Sequence, residues 1–422
     1  MKMLYSFLSP PRMLVVVAVL LIGTPTTGFG QSSEWSRFRG PDGSGSLSTC
    51  DVPLPWTSRD IAWTIDLPGS GNSSPILHEQ SIYLLSADPI SGEQFVLAYD
   101  QPSGKPLWQH AYASEPYSIH KLSSFASSTP CADDRAVYVA WATPDRCLVK
   151  AIDHSGTELW TRDLGPYVSQ HGFGTSPIVA GDQVFLMLSQ DAEGLDAGVE
   201  PGESHMIALD RLTGKTRWKT PLASTSVCYG VPQVRSIDGQ SRVLGATTRE
   251  GFFALDTATG KKIWSKSEFD MRICSSLLVT NGLIIASDGS GGGGGQLVAI
   301  KSDGSGEEVF RVKRGSPYVP TPVASRDHVF LWSDKGIVSC VTMDGEVLES
   351  KRIGGNVYAS PILLGDKLLN ISQDGVATIL SADADLNELG SYDFDAIVRA
   401  TPAASADALF IRTDEQLLKI SR

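Results

Sequence analysis

The sequence contains no C-x-x-C pair, no C-x-x-C-H and no two adjacent cysteines, so neither a dithiol redox centre nor covalent haem attachment is written into it. It has no H-x-x-x-H and no H-E-x-x-H, so a zinc site built from local spacing is unsupported. Positive charge is scarce: 35 Lys and Arg against 47 Asp and Glu leave a formal net charge of −12. Nucleic acid and anionic lipid are thereby excluded as bulk electrostatic partners. Past residue 30 no apolar run reaches membrane-spanning length, and no stretch sustains an apolar period of 3.6 residues. With 41% hydrophobic and 19% charged residues, what is left is an acidic chain with a packed core and little helix.

The first thirty residues read as a signal peptide. Lys2 and Arg12 are their only charges, and "LVVVAVLLIG" (Leu14 to Gly23) is an apolar run too short to span a bilayer comfortably. Gly28 and Gly30 occupy the −3 and −1 positions of a cut before Gln31. No cysteine lies near that cut, so there is no lipobox. The expectation is an exported, periplasmic protein, soluble after cleavage. Its six cysteines, Cys50, Cys131, Cys147, Cys228, Cys274 and Cys340, then sit where disulfides are permitted. Cys131 and Cys147 flank the strand "AVYVAWA" and are placed to meet within one sheet; the others read as small buried hydrophobes.

The mature chain repeats itself. "ALDRLTGKTRW" (Ala208 to Trp218) and "ALDTATGKKIW" (Ala254 to Trp264) agree at seven positions, and weaker copies start at Ala98, Ala151, Ala299 and Cys340. Each copy is preceded by a small residue before proline: Ser74-Pro75, Thr129-Pro130, Ser176-Pro177, Val231-Pro232, Thr321-Pro322, Ser360-Pro361 and Thr401-Pro402, with Ser276-Leu277 filling the one slot without proline. That makes eight units, 39 to 55 residues apart. Within a unit the β-rich runs and Gly turns give four antiparallel strands, and this repeat length predicts an all-β, eight-bladed β-propeller of four-stranded blades. The last unit has only three strands before the chain stops, and "IAWTIDL" (Ile61 to Leu67) supplies a fourth. Pairing of the N- and C-terminal strands closes the ring and removes an exposed edge. The organisation expected is a signal peptide over 1–30, an N-terminal arm over 31–60 that wraps the propeller rim, and the propeller over 61–422.

The phrase itself has local reasons. Its Asp bonds turn N–H groups, its Gly supplies positive φ, and its Trp lies on the outermost strand, packing over the next blade with its N–H on a backbone carbonyl. Trp63, Trp108, Trp160, Trp218 and Trp264 are assigned this structural role.

"AxDxxxGxxxW" resembles the tryptophan-docking motif of the pyrroloquinoline-quinone (PQQ) enzyme-like repeat, across essentially all eight units. Two kinds of eight-bladed protein share it: PQQ-dependent alcohol dehydrogenases, which hold PQQ and Ca²⁺ in the central channel, and the BamB-type outer-membrane assembly factors, which bind no cofactor and recognise a protein. More narrowly, "WSRFRGPDGSG" (Trp35 to Gly45) and "LGPYVSQHGFGTSP" (Leu164 to Pro177) resemble a planctomycete family of exported PQQ-like propellers. The adjacent cysteines, the haem site and the long chamber loops of the dehydrogenases are absent, and no catalytic residue or Ca²⁺ set is assignable by motif. The resemblance therefore implies a BamB-like, non-catalytic binding or scaffold protein of the cell envelope, without cofactor, acting on a protein partner or a small ligand. A PQQ/Ca²⁺ oxidoreductase and a carbohydrate-associated protein are the alternatives.

The residues before each innermost strand line the channel mouth. Three places before each marker stand Asn72, Ser127, Gly174, Tyr229, Cys274, Val319, Tyr358 and Arg399; Tyr117, His120, His171, Arg272, Tyr318 and Asn356 lie in the same loops. Asn72, His120, His171, Tyr229, Arg272, Tyr318, Tyr358 and Arg399 are the ligand candidates: aromatics with two Arg and two His suit an anionic or planar ligand. A polar, water-filled mouth is the other reading. His171 stands out between Gly-rich turns, with a hydrogen bond across the loop as its structural alternative; His205 is a weaker candidate. "DGSGGGGGQ" (Asp288 to Gln296) lacks a phosphate-loop ending and reads as a flexible hairpin tip. "DAEGLDAGVEPGE" (Asp191 to Glu203) reads as a solvated acidic loop, with a Ca²⁺ site or a partner contact as the alternatives.

Overall fold

A computed structural model describes Met1, residues 34–291 and residues 293–422. All but Met1 of the expected signal peptide, with the cut before Gln31, lies outside the described residues, as does Gly292.

Eight antiparallel sheets follow one another along the chain, making the eight-bladed propeller expected. Blade 3 is typical: Ile178–Ala180, Gln183–Leu188, His205–Asp210 and Thr216–Pro221 run from the innermost to the outermost strand. The second strand is buried at every residue, because neighbouring blades cover both its faces. The outermost strand alternates between exposed and half-buried. Blade 8 joins the two ends of the chain: Ile61–Asp66 pairs antiparallel with Gln416–Ser421, which continues through Ala408–Arg412 to Ala403–Ala404. Arg412, sealed from solvent, carries the closure inward by donating to the Ser73 carbonyl of blade 1 at 3.0 Å.

The repeated phrase forms the blade-to-blade contact. The tryptophan indole N–H of one blade donates to a carbonyl in the next blade's turn: Trp63 to Gln101 (3.2 Å), Trp108 to His154 (3.0 Å), Trp160 to Arg211 (3.0 Å) and Trp218 to Thr257 (2.9 Å). Trp264 lies against Gly304 in the same manner. The glycine is required there. Gly260 has φ +70°, and a Cβ on it would stand 2.5 Å from the Trp218 ring. The motif Ala pairs across the strand with that Trp, as Ala208 does with Trp218, beside a register shift. The motif Asp accepts turn amides, as Asp256 does from Thr259 at 2.9 Å.

The marker residues form a second circuit around the axis. The Ser74 N–H donates to Thr129 Oγ1, Thr129 to Ser176, Val231 to Ser276, Ser276 to Thr321, Thr321 to Ser360, Ser360 to Thr401, and Thr401 back to Ser74, all at 2.9–3.0 Å. Each hydroxyl caps the amide of the preceding blade, and this is why Ser or Thr precedes the strand. The circuit is interrupted where Val231 offers Ser176 no oxygen.

The arm departs from expectation. Its glycine-rich first part does not wrap the rim but crosses the far end of the channel, and only its later residues reach the periphery, where Trp56 packs on Tyr392 and Phe394 beside the outermost strand of blade 7. The Trp35 and Ser36 carbonyls accept from Leu77 and Ala132, edge amides of the innermost strands of blades 1 and 2, and the Gly45 carbonyl accepts from Leu363 of blade 7. Ser46–Leu47 then adds a parallel fifth strand to blade 7. Arg37 donates to the Pro232 carbonyl at 3.1 Å, and Arg39 to those of Pro322 (2.7 Å) and Pro361 (3.0 Å). The innermost strands have no inner neighbour, so their polar edges need partners, and the arm supplies them. Phe38, between the two arginines, packs against the cluster that contains Val231.

Cys131 and Cys147 do not meet. In register Cys131 faces Tyr138 and Cys147 faces Ala142, at different levels of blade 2, and all six cysteines are free.

Candidate functional site

The end of the channel opposite the arm opens into a cavity of about 790 Å³. All eight ligand candidates line it, together with Ser127, Gly174, Cys274 and Val319, so the position three places before each marker is a ring of eight wall residues. The marker ring lies below, and Phe38 lines the cavity as well. Because Arg37 and Arg39 hold the carbonyls that follow the ring residues, Phe38 sits on the far side of that ring and forms the floor. The cavity is blind.

Tyr117 is turned away, donating to the Ala142 carbonyl at 2.7 Å, and Asn356 lines a neighbouring depression. His205 is a core residue of blade 3, its ring bonded to the Glu203 carbonyl at 2.9 Å.

Arg272 is the most firmly placed of the polar candidates. Its Nη1 lies 3.0 Å from His171 Nε2, and its Nη2 lies 3.6 Å from Asp191. Asp191 is itself fixed by the amides of Val227 (2.7 Å) and Gln170 (2.8 Å). Since Arg272 can only donate, His171 Nε2 must accept, which places the imidazole proton on Nδ1. Burial lowers the His171 pKa, and the neighbouring Arg272 guanidinium lowers it further, in keeping with an accepting Nε2. His120 stacks on it with ring centroids 5.2 Å apart. Tyr229 Oη reaches the Gly172 carbonyl at 3.2 Å, and a Cβ on Gly174 would press on the Tyr229 ring at 2.9 Å. Asn72 donates to the Leu122 carbonyl at 3.1 Å. Burial pushes the Tyr358 phenol up to about 12. Arg399 has no ion pair or side-chain hydrogen bond among the described residues, and its Nε is buried without a partner.

Sequence reasoning missed several wall residues. Lys121, Lys335 and Asp270 join Arg272 and Arg399 on the wall, giving four cations against one carboxylate in a chain of net charge −12. Asp191 is not part of a solvated loop; it is 2% exposed and orients Arg272. Its place after "MLSQ", at the end of a buried strand, was the available signal. The glycine-rich stretch is a hairpin tip, with Ser290 opposite Gly293, but Gly289, Ser290 and Gly291 also form cavity wall.

No group of three or more His, Cys, Asp or Glu side chains able to hold a metal occurs among the described residues. Ca²⁺ takes six to eight oxygen ligands, carboxylates foremost. Here Asp191 is committed to two amides and Arg272, and Asp334 to the amides of Tyr318 (2.7 Å) and Val319 (3.1 Å). The residues present do not fit a Ca²⁺ site.

A family model described as outer membrane protein assembly factor BamB matches residues 96–235 and 202–321, together more than half of the chain. BamB of Burkholderia pseudomallei (strain K96243) is 24% identical over 300 residues, covering 69% of this chain and 70% of that protein. The crystal structure of BamB from Moraxella catarrhalis superposes with a TM-score of 0.63 at 18% identity, covering 86% of this chain and 97% of that one. A europium-containing methanol dehydrogenase superposes at 0.67 with 10% identity, covering 92% and 98%; at such identities the likeness is one of fold. The sequence match extends across the tryptophan-bearing blades whose turns interlock, and on that ground the chain belongs to the BamB-like family of PQQ-repeat propellers.

Proposed function

We propose that this protein is an exported, non-catalytic binding propeller of the cell envelope, and that it engages its partner by receiving an anionic group in the channel mouth. The observation that carries the reading is the inverted charge of the cavity: with Arg272 paired to Asp191 behind the wall, Lys121, Lys335 and Arg399 still face one carboxylate, Asp270, within an acidic molecule. A cationic recess in an acidic surface draws anionic groups to that one place, while the surrounding acidic surface repels them elsewhere. Tyr229, Tyr318 and Tyr358 add flat apolar walls, and the Phe38 floor means that a ligand enters and leaves by one end. The family's description as an outer membrane assembly factor favours a protein partner over a metabolite, and no helix among the described residues is long and apolar enough to cross a membrane.

Binding of a short, otherwise neutral peptide carrying one glutamate tests this. We expect weak, salt-sensitive binding that Arg399→Glu abolishes without lowering the unfolding midpoint. The quinone alternative is tested in parallel by adding PQQ with Ca²⁺. A raised midpoint with quinone absorbance retained on re-isolation, and no binding of the peptide, would overturn the proposal.

A further inference from the structure

A second depression of about 440 Å³ lies over blades 6 and 7, lined by Lys335, Arg352, Gly355, Asn356, Gln373 and Asp374. Lys335 lines the channel cavity too, so the two spaces adjoin at that side chain. Lys335 stands in the turn between the second and third strands of blade 6, next to Asp334, whose carboxylate is tied to the Tyr318 and Val319 amides. Arg352 ends the outer strand Val347–Arg352 and reaches back to the Lys335 carbonyl at 3.3 Å. Neither cation has an ion-pair partner among the described residues. The one carboxylate of the depression, Asp374, accepts the Ser372 hydroxyl and stands against two cations. Asn356 and Gln373 are bonded to each other through the backbone at 2.7 Å, while their side-chain amides have no partner among the described residues. Each amide offers one acceptor and two donors, the complement of a peptide unit.

We propose that this depression continues the channel mouth into a bent groove for an acidic peptide segment with two carboxylates, one entering the channel at Arg399 and Arg272, the second resting on Arg352. The proposal rests on the reading of the mouth as an anion site and adds where the rest of the ligand lies. A small monoanion would be satisfied inside the channel, and Arg352, which lines only the second depression, would then have nothing to do. Charge elsewhere on the rim sets the direction. Blade 3, across the ring from blade 7, carries the loop with Glu193, Asp196, Glu200 and Glu203, which turns an acidic chain away from that side and toward blades 6 and 7.

The test compares two neutral-backbone peptides of equal length, one with a single glutamate and one with two glutamates separated by a short spacer, on the full-length protein and on Arg352→Glu. Arg352 is exposed, so the variant keeps the wild-type unfolding midpoint. The two-glutamate peptide is expected to bind at least about tenfold more tightly at low salt. Arg352→Glu removes that gain and leaves the one-glutamate peptide unchanged. Equal affinity of the two peptides for the wild type, or equal weakening of both by Arg352→Glu, overturns the groove and leaves the channel site standing. If neither peptide binds the wild type, the channel reading falls and the groove falls with it.

Discussion

Arg37, Arg39 and Arg412 are buried cations bonded to backbone carbonyls rather than to carboxylates, and burial lowers Arg37 to about 10, Arg39 to about 9 and Arg412 to about 10. All three stay charged near neutrality, because planar, multi-donor guanidinium groups can serve several acceptors at once. Replacing Arg39 with Ala orphans the carbonyls of Pro322 and Pro361, and we expect a loss of about 3 kcal/mol in denaturant unfolding. A loss below about 1 kcal/mol would mean that the arm is held by its backbone bonds alone. His205 makes an opposite kind of prediction. Burial lowers its pKa from 6.5 to about 4, so the unfolded chain takes up its proton more readily than the folded one. Its contribution, about 3 kcal/mol by linkage, is whole above pH 6.5 and drains away as pH falls toward 4. The midpoint of His205→Gln should therefore decline less steeply over that window than the wild-type midpoint. Neither environment was legible beforehand. "RFRG" looks like an exposed, glycine-flanked basic loop until the innermost strand edges of several blades are brought within its reach.

At the scale of the element, the interlock of Trp218 with the turn at Gly260 is the unit from which the ring is built. Gly260→Ala places a methyl group 2.5 Å from the indole at φ +70°, and we expect it to cost more than about 2 kcal/mol. Trp218→Ala alone is also destabilising, but the double variant should be markedly less unstable than the sum, since the methyl group then enters vacated space. Strict additivity in a thermal-melt cycle would show that the two residues do not share one contact. This element was the most legible part of the chain. Its Asp, Gly and Trp sit at fixed spacing because the hairpin turn and the bulge beside it fix their geometry locally. The Ser or Thr before each marker proline was visible as a regularity, yet its purpose was not. Each hydroxyl serves an amide 39 to 55 residues earlier in the chain, except Ser74, which serves Thr401, 327 residues later, and only the closed circle brings each pair together.

For the whole molecule, closure is the property that matters. Strand Ile61–Asp66 is the outermost strand of a blade whose other three strands come from the C-terminus, and Trp63 of that strand docks on blade 1. A chain ended at Thr413 lacks Gln416–Ser421, leaving Ile61–Asp66 and Ala408–Arg412 each with an open edge. We expect it to lose the single sharp calorimetric transition of the full chain and to unfold over a broad range, as an open repeat array does. A sharp transition at an undiminished midpoint would show that the arm and the marker circuit hold the ring without strand closure.

The sequence alone determined the eight-fold repeat, the four-stranded blade, the pairing of the chain ends and the positions that face the mouth. All of these follow from local periodicity and turn chemistry, which a repeat prints many times over. Asn72, His120, His171, Tyr229, Arg272, Tyr318, Tyr358 and Arg399 could be gathered into one wall because each stands at or near the same place in its unit. Only the tertiary structure decided what crosses the channel, which acid orients Arg272, and where the cations of the mouth collect. The arm, Asp191 and Lys335 lie outside the repeat's regular positions. Their partners come from distant blades, and no spacing in the chain encodes a neighbour that exists only once the ring has closed.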